Sequence, residues 1–269
     1  MSRIVVVTSG KGGVGKTTTS ASIAVGLAKF GNKTVVIDFD IGLRNLDLVM
    51  GCERRVVYDF VNVLNNDVSM EQALIKDKRI DDLYILPASQ TRDKSVLTKD
   101  SVNRVFKELS DMNFKFIICD SPAGIENGAI ISIYFADDAI IVANPEISSV
   151  RDSDRMLGII SSTSKRSENG EDPISEHLIL TRYDQERVNS GQMLSVDDVL
   201  EILKIPIIGI IPEDSSILHA SNKGTPIILD KNSISGKSYE DTVKRFLGKN
   251  IPMKFYKKEK SFLKWLFWR

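Results

Sequence analysis

The sequence predicts a doubly wound α/β domain, one mostly parallel β-sheet flanked by helices, followed by a C-terminal amphipathic helix. Three observations carry that expectation. Seven short runs, at 3–9, 34–40, 83–87, 116–120, 139–145, 177–182 and 207–212, are apolar throughout and do not alternate. Such runs suit strands buried on both faces of a parallel sheet. Between them, 17–30, 101–111, 126–136, 148–163, 195–203 and 236–247 show helical periodicity and read as crossover helices. Thirdly, a glycine-rich segment stands directly between the first run and the first helix. In this architecture ligands are expected at the carboxyl ends of the strands. The polar stretch 164–173 (S-K-R-S-E-N-G-E-D-P) reads as a surface loop.

A chain of 269 residues, 42% hydrophobic and 27% charged, is ordinary for a globular protein with one sizeable core. No run of about 18 apolar residues predicts a membrane-spanning helix, and the start M-S-R-I-V-V-V lacks the pattern of a secretory signal. Cys52 and Cys119 make neither a disulfide framework nor a zinc spacing, so a cytoplasmic location is expected. Net charge is zero, which argues against a general nucleic-acid binder. Its distribution is uneven. Lys254, Lys257, Lys258, Lys260, Lys264 and Arg269 face Glu259 alone, leaving a body of about −5 and a tail of about +5. The expected organisation is a domain over 1–247, a flexible linker over 248–258 and a terminal helix over 259–269.

The glycine-rich segment reads G-K-G-G-V-G-K-T, residues 10–17, and fits the Walker A pattern G-x-x-x-x-G-K-[ST] in its strand–loop–helix setting. Its glycines Gly10, Gly12, Gly13 and Gly15, with Val14, allow a tight backbone whose N–H groups point at phosphates. The helix that follows, opening with Lys16, Thr17 and Thr18, adds the positive end of its dipole. Lys16 is expected on the β- and γ-phosphates, and Thr17 on Mg²⁺. Two apolar strands end in aspartate: Asp38 and Asp40 close V-V-I-D-F-D, and Asp120 closes F-I-I-C-D. Either tip suits the carboxylate that holds Mg²⁺, usually through water.

The leading lysine in K-G-G-V-G-K-T, Lys11, is not required by the general pattern. With it the loop resembles the deviant Walker A of the MinD/ParA group of ATPases. The resemblance implies that Lys11 crosses a dimer interface to the partner's nucleotide, giving an ATP-dependent homodimer. It also implies that Asp120, in D-S-P-A-G, is the Mg²⁺ carboxylate acting through water, and that Asp40 orients the attacking water. Further stretches resemble the division-site branch of that group, essentially end to end: G-L-R-N-L-D-L-V-M-G-C-E-R-R-V-V-Y-D-F-V-N-V-L (42–64), L-P-A-S-Q-T-R-D-K (86–94) and S-S-V-R-D-S-D-R (148–155). That branch implies recruitment of the division inhibitor MinC, hydrolysis stimulated by MinE, and reversible attachment to the cytoplasmic face of the inner membrane. The charged helix start with Arg151, Asp152 and Asp154 is then expected to dock a partner. By analogy of fold, adenine is expected near Thr181 and Arg182, with Arg182 stacking on the ring, and near Pro212, Glu213 and Asp214.

The chain ends K-S-F-L-K-W-L-F-W-R. On a helical wheel Phe262, Leu263, Trp265, Leu266 and Phe267 share one arc, and Lys257, Lys260, Ser261 and Lys264 the other; only Trp268 breaks the pattern. An apolar face edged by lysine describes an interfacial anchor for anionic lipids. A DNA-partitioning ATPase of the ParA type is the alternative, with the basic tail on phosphates. The large apolar side chains argue against it, because nonspecific duplex binding needs only the charge. An electron-transfer reading, like the nitrogenase iron protein, requires cluster-ligating cysteines that Cys119, inside a strand, does not supply.

Overall fold

The computed structural model describes residues 2–90 and 96–255. The first strand, β1 (Arg3–Thr8), leads through the glycine-rich loop into α1 (Lys16–Lys29). After β2 (Thr34–Asp38) come the short helices α2 (Leu46–Met50), α3 (Phe60–Leu64) and α4 (Met70–Ala73), then β3 (Ile75–Lys76) and β4 (Leu83–Leu86). The chain continues as α5 (Lys99–Asp111), β5 (Phe116–Asp120), α6 (Asn127–Phe135), β6 (Asp138–Ala143), α7 (Ile147–Ser162) and α8 (Lys165–Glu168). It closes with β7 (Ser175–Tyr183), α9 (Gln185–Asn189), α10 (Val196–Leu203), β8 (Ile207–Pro212), α11 (Ser216–Asn222) and α12 (Ile234–Phe246).

All seven expected strands form, joined in one eight-stranded sheet of order β3-β4-β2-β5-β1-β6-β7-β8. Every pairing is parallel except β3 with β4, a two-residue edge too short to leave a sequence pattern. Alternate strand residues enter two cores. Val6, Val35 and Ile37 pack with α5, α6, α7 and α10 on one face. Val5, Val7 and Val36 pack with α1 and α12 on the other. This double burial explains the continuous apolar runs. The stretch 164–173 is not wholly a loop: Ser164 accepts a bond from the Ser167 N–H and so caps the single turn of α8.

The end of the described chain is tied down. Arg245 donates to the carbonyls of Ile208 on edge strand β8 (2.9 Å), Ile251 (2.7 Å) and Pro252 (2.8 Å). Lys254 pairs with Asp241 at 2.6 Å, and Met253 and Phe255 pack on the core. The linker expected over 248–258 is therefore held to the body as far as Phe255. Its remainder, and the terminal helix expected over 259–269, lie outside the described residues.

Helix α1 is buried along nearly its whole length, so its small residues matter. A Cβ at Gly26 would stand 2.6 Å from Val243 Cγ2 of α12 and 3.0 Å from Ile228 Cδ1. Overpacking of this kind costs about 1–3 kcal/mol. We expect Gly26→Val to lower the urea-unfolding free energy by about that amount, with the slope of the transition unchanged.

Candidate functional site

The loop after β1 turns on two left-handed glycines, Gly13 (φ 76°) and Gly15 (φ 94°), the latter capping α1. Among the described residues, the backbone N–H groups of Gly13, Val14, Gly15, Lys16 and Thr17 donate to no protein acceptor. They form a concave row of donors at the positive end of a 14-residue helix. Gly10 lies against the backbone of Asp152 in α7, where a Cβ would collide with the Asp152 carbonyl. Only glycine permits that approach.

Beside the row sits a charged cluster. Lys16 is buried, and its ammonium donates to Ser9 Oγ at 2.9 Å. Burial lowers its pKa, while the charges of Asp120 and Asp40 hold it up. Ser20 Oγ donates to Asp120 Oδ1 at 2.7 Å, and Thr17 also hydrogen-bonds to that carboxylate. Burial nonetheless raises Asp120 to about 6, against the opposing pull of Ser20, Thr17 and Lys16. Its neighbour across the β2–β5 ladder is Asp38, also buried. Burial and the charge of Asp120 push Asp38 up to about 8.

The two aspartates that the sequence left equivalent have separate surroundings. Asp38 accepts backbone N–H bonds from Asp40 (2.9 Å), Asn45 and Leu46 (both 3.3 Å), and so shapes the segment after β2. Asp120 faces Thr17 and Lys16. Asp40 is half-buried at the same edge, close enough for its charge to act on Lys16 and Asp120. Among the described residues no three His, Cys, Asp or Glu side chains gather as a metal site. A hydroxyl beside one carboxylate suits Mg²⁺, which keeps several waters and takes substrate phosphate oxygens. Two adjacent buried carboxylates with raised pKa values are groups whose ionised form a divalent cation favours.

Lys11 is exposed and stands 3.4 Å from Glu146 Oε2 and 3.3 Å from Ser148 Oγ, just before and within α7. Arg151 and Asp154 are exposed on the next turn, and Asp152 pairs with Arg155 at 3.6 Å. Arg182 is exposed, with φ 53°, at a register shift between β7 and β8. Pro212 ends β8 opposite Tyr183. Asp214 is committed elsewhere: although burial opposes it, bonds from Ser216, Ser233 and Ser235 hold its pKa down at about 2. Sequence reasoning missed Ser9, Ser20, Asn144 and the direction of the Thr181 side chain, which bonds to the Val14 carbonyl. Ser20 was within reach, being one helical turn beyond Lys16 and Thr17.

A model of the CobQ/CobB/MinD/ParA nucleotide binding domain matches residues 5–227. Over 268 residues the chain is 66% identical to the septum site-determining protein MinD of Escherichia coli (strain K12), covering 99% of each chain. The chain belongs to the MinD family. It is 59% identical to the MinD of Neisseria meningitidis serogroup B over 270 residues, 99% of each chain. Among solved structures, the MinD cell division protein of Aquifex aeolicus superposes with a TM-score of 0.83 at 43% identity, covering 94% of this chain and all of that one. The Pyrococcus horikoshii MinD, complexed with Mg-ADP, matches with a TM-score of 0.78 at 27% identity, over 91% of this chain and 96% of that one. As a MinD-family protein the chain is a septum site-determining, nucleotide-binding ATPase.

The carboxylate pair has a consequence for stability. Both pKa values are raised on folding, so the native state binds protons that the unfolded chain has lost. The stability they contribute is present at low pH and is lost as pH rises through about 6 for Asp120 and about 8 for Asp38. For nucleotide-free protein we expect the urea midpoint to fall between pH 5 and 8.5. The fall should be smaller in Asp120→Asn, which removes one titrating group and relieves the other. Parallel pH profiles for the two proteins would count against this coupling.

Proposed function

We propose that this MinD-family ATPase works as an ATP-bridged homodimer that hydrolyses ATP with Mg²⁺ and thereby controls its own residence on the membrane. The observation that carries the reading is the meeting of Lys16, Thr17 and Asp120 at the head of α1, beside a row of free backbone donors. Residues 10–18 cradle the phosphates, and Arg182 and Pro212 border the adenine. Thr17 would hold Mg²⁺, and Asp120 would hold it through water; when bound, the ion would neutralise charge on the phosphates. Lys16 stabilises charge that develops on the transferred phosphoryl group, and Asp40 orients water for attack. Lys11 serves the partner's nucleotide. Its bonds to Glu146 and Ser148 are long and exposed, so leaving them costs little.

The first turns of α7, with Arg151, Asp152 and Asp154, are a partner-docking surface; the partners are MinC, which is recruited, and MinE, which stimulates hydrolysis. Support comes from the MinC:MinD cell division protein complex of Aquifex aeolicus, whose matching chain superposes with a TM-score of 0.84 at 43% identity. Phe262, Leu263, Lys264, Trp265, Leu266 and Phe267 anchor the protein to anionic lipid. No helix among the described residues is long and apolar enough to cross a membrane. One short tail binds weakly: each basic residue adds about 1 kcal/mol near an anionic surface. Two tails on one dimer raise apparent affinity by about 10² to 10⁴. The ATP-bound dimer thus collects on the cytoplasmic face of the inner membrane, and hydrolysis releases it. Retention on DNA rather than on liposomes would favour the ParA-type alternative.

Sedimentation with anionic liposomes tests the switch: Lys16→Ala should lose ATP-dependent binding, and its persistence would remove the loop from the mechanism. Deleting residues 261–269 should leave nucleotide affinity intact while abolishing sedimentation in ATP. Asp40→Ala should keep ATP binding within a few-fold but slow hydrolysis by roughly 10² or more, measured as phosphate release.

A further inference from the structure

We propose that Thr181 is a positioning residue for the phosphate cradle, acting through the Val14–Gly15 peptide; this rests on the cradle reading given above. Thr181 is on β7, yet its Oγ1 stands 2.7 Å from the carbonyl oxygen of Val14, 167 residues earlier in the chain. Both groups are buried, Val14 at 1% exposure and Thr181 at 4%. In a trans peptide the C=O and the following N–H point in opposite directions. A hydroxyl that holds the Val14 oxygen on the sheet side therefore aims the Gly15 N–H the other way, into the row of donors. Gly15 sits at φ 94° with no Cβ to restrain it, so the peptide on its amino side needs an external hold. Thr181 supplies that hold in two ways. Its hydroxyl takes the carbonyl, and its Cγ2 methyl backs Gly15, 3.9 Å from where a Cβ would stand. The Gly15 carbonyl meanwhile accepts from Thr19 N–H at 2.9 Å and starts α1, so both sides of this residue are fixed.

The hydroxyl is held in turn. Asn144, just after β6, brings its Oδ1 to 2.8 Å from Thr181 Oγ1 as a second acceptor. The Asn144 backbone N–H donates to Ser149 Oγ of α7 at 3.0 Å. One hydroxyl hydrogen serves one acceptor, and the shorter contact is to Val14. A valine would fill the same space in the core. What only threonine or serine provides at this position is the bond to the loop.

The test is Mg-ADP binding by calorimetry to the full-length protein, comparing wild type with Thr181→Val, Thr181→Ser and Lys16→Ala. Thr181→Val should weaken binding about tenfold, equivalent to about 1.4 kcal/mol. Thr181→Ser keeps the hydroxyl and should stay within about twofold, the scale of a hydrogen bond retained with slightly altered packing. Unchanged affinity in Thr181→Val overturns the proposal. So does equal weakening in Thr181→Ser, because the methyl group rather than the hydroxyl would then be responsible. Should Thr181→Val fail to fold, Thr181→Ala takes its place in the same comparison with serine. If Lys16→Ala binds Mg-ADP as wild type does, the cradle reading itself falls, an outcome distinct from either result at Thr181.

Discussion

The functional edge depends on the parallel register of three strands that are distant in sequence. β5 lies between β2 and β1, with Asp120 opposite both Asp38 and Val7. Neighbouring strands run about 4.8 Å apart, so the two carboxylates meet at one point, directly below the loop that leaves β1. That point is short of positive charge. Lys16 is the cation whose charge acts on Asp120, and burial weakens its own hold on the proton. The loop above carries the complementary excess, a row of unpaired N–H donors reinforced by a helix dipole. Anionic phosphate suits the upper part and a divalent cation the lower. Each half of the site favours a different charge, an arrangement that suits the proposed pairing of metal and nucleotide.

Helix α7 is contiguous with this edge through several independent contacts. Gly10 rests on the Asp152 backbone, Lys11 reaches Glu146 and Ser148, and Asn144 connects Ser149 to Thr181. A protein seated on the first turns of α7 therefore presses on groups that touch the loop directly. In the proposed dimer, the Lys11 bonds would have two arrangements: a bond to its own α7, or one across the dimer. Coupling between sites requires an element with two states that both sites bias. Exposed Lys11 would be such an element in the proposed dimer, whereas the buried Thr181–Asn144 pair is suited to holding one geometry.

Much of this was legible in the sequence, for identifiable reasons. Strands buried on both faces leave continuous apolar runs, and a phosphate loop is local, so residues 10–17 declare themselves within eight positions. What stayed hidden depends on partners far away. Asp38 and Asp120 look alike as strand-ending aspartates; only the fold gives one to the backbone of Asp40, Asn45 and Leu46 and the other to Thr17 and Ser20. Thr181 looked like a neighbour of adenine because of its place at a strand tip, but strand alternation turns its side chain to the loop instead. Asp214, at the next tip, is spent on capping α11 and α12. The two-residue edge strand β3 and the single turn of α8 were too short for periodicity to register.

In the proposed membrane cycle, the charge division between body and tail makes a weak single anchor useful. A body of about −5 is repelled by an anionic surface, while a tail of about +5 is attracted to it. Electrostatics alone leaves one copy near balance, so the decision falls to the few apolar side chains and to whether a second copy is attached. A stronger anchor would keep single copies on the membrane and make dimerisation irrelevant; a weaker one would leave even the pair in solution. How the tail is mounted matters for the same reason. Arg245, binding Ile208 on the open edge of β8 together with Ile251 and Pro252, and the Lys254–Asp241 pair carry the fixed part of the chain on to Phe255. Effective concentration between linked sites falls roughly as the −3/2 power of linker length once the span is exceeded. In the proposed dimer, holding the chain to the body as far as Phe255 keeps the second tail's encounter with the membrane close to the first, which is how dimerisation would become attachment.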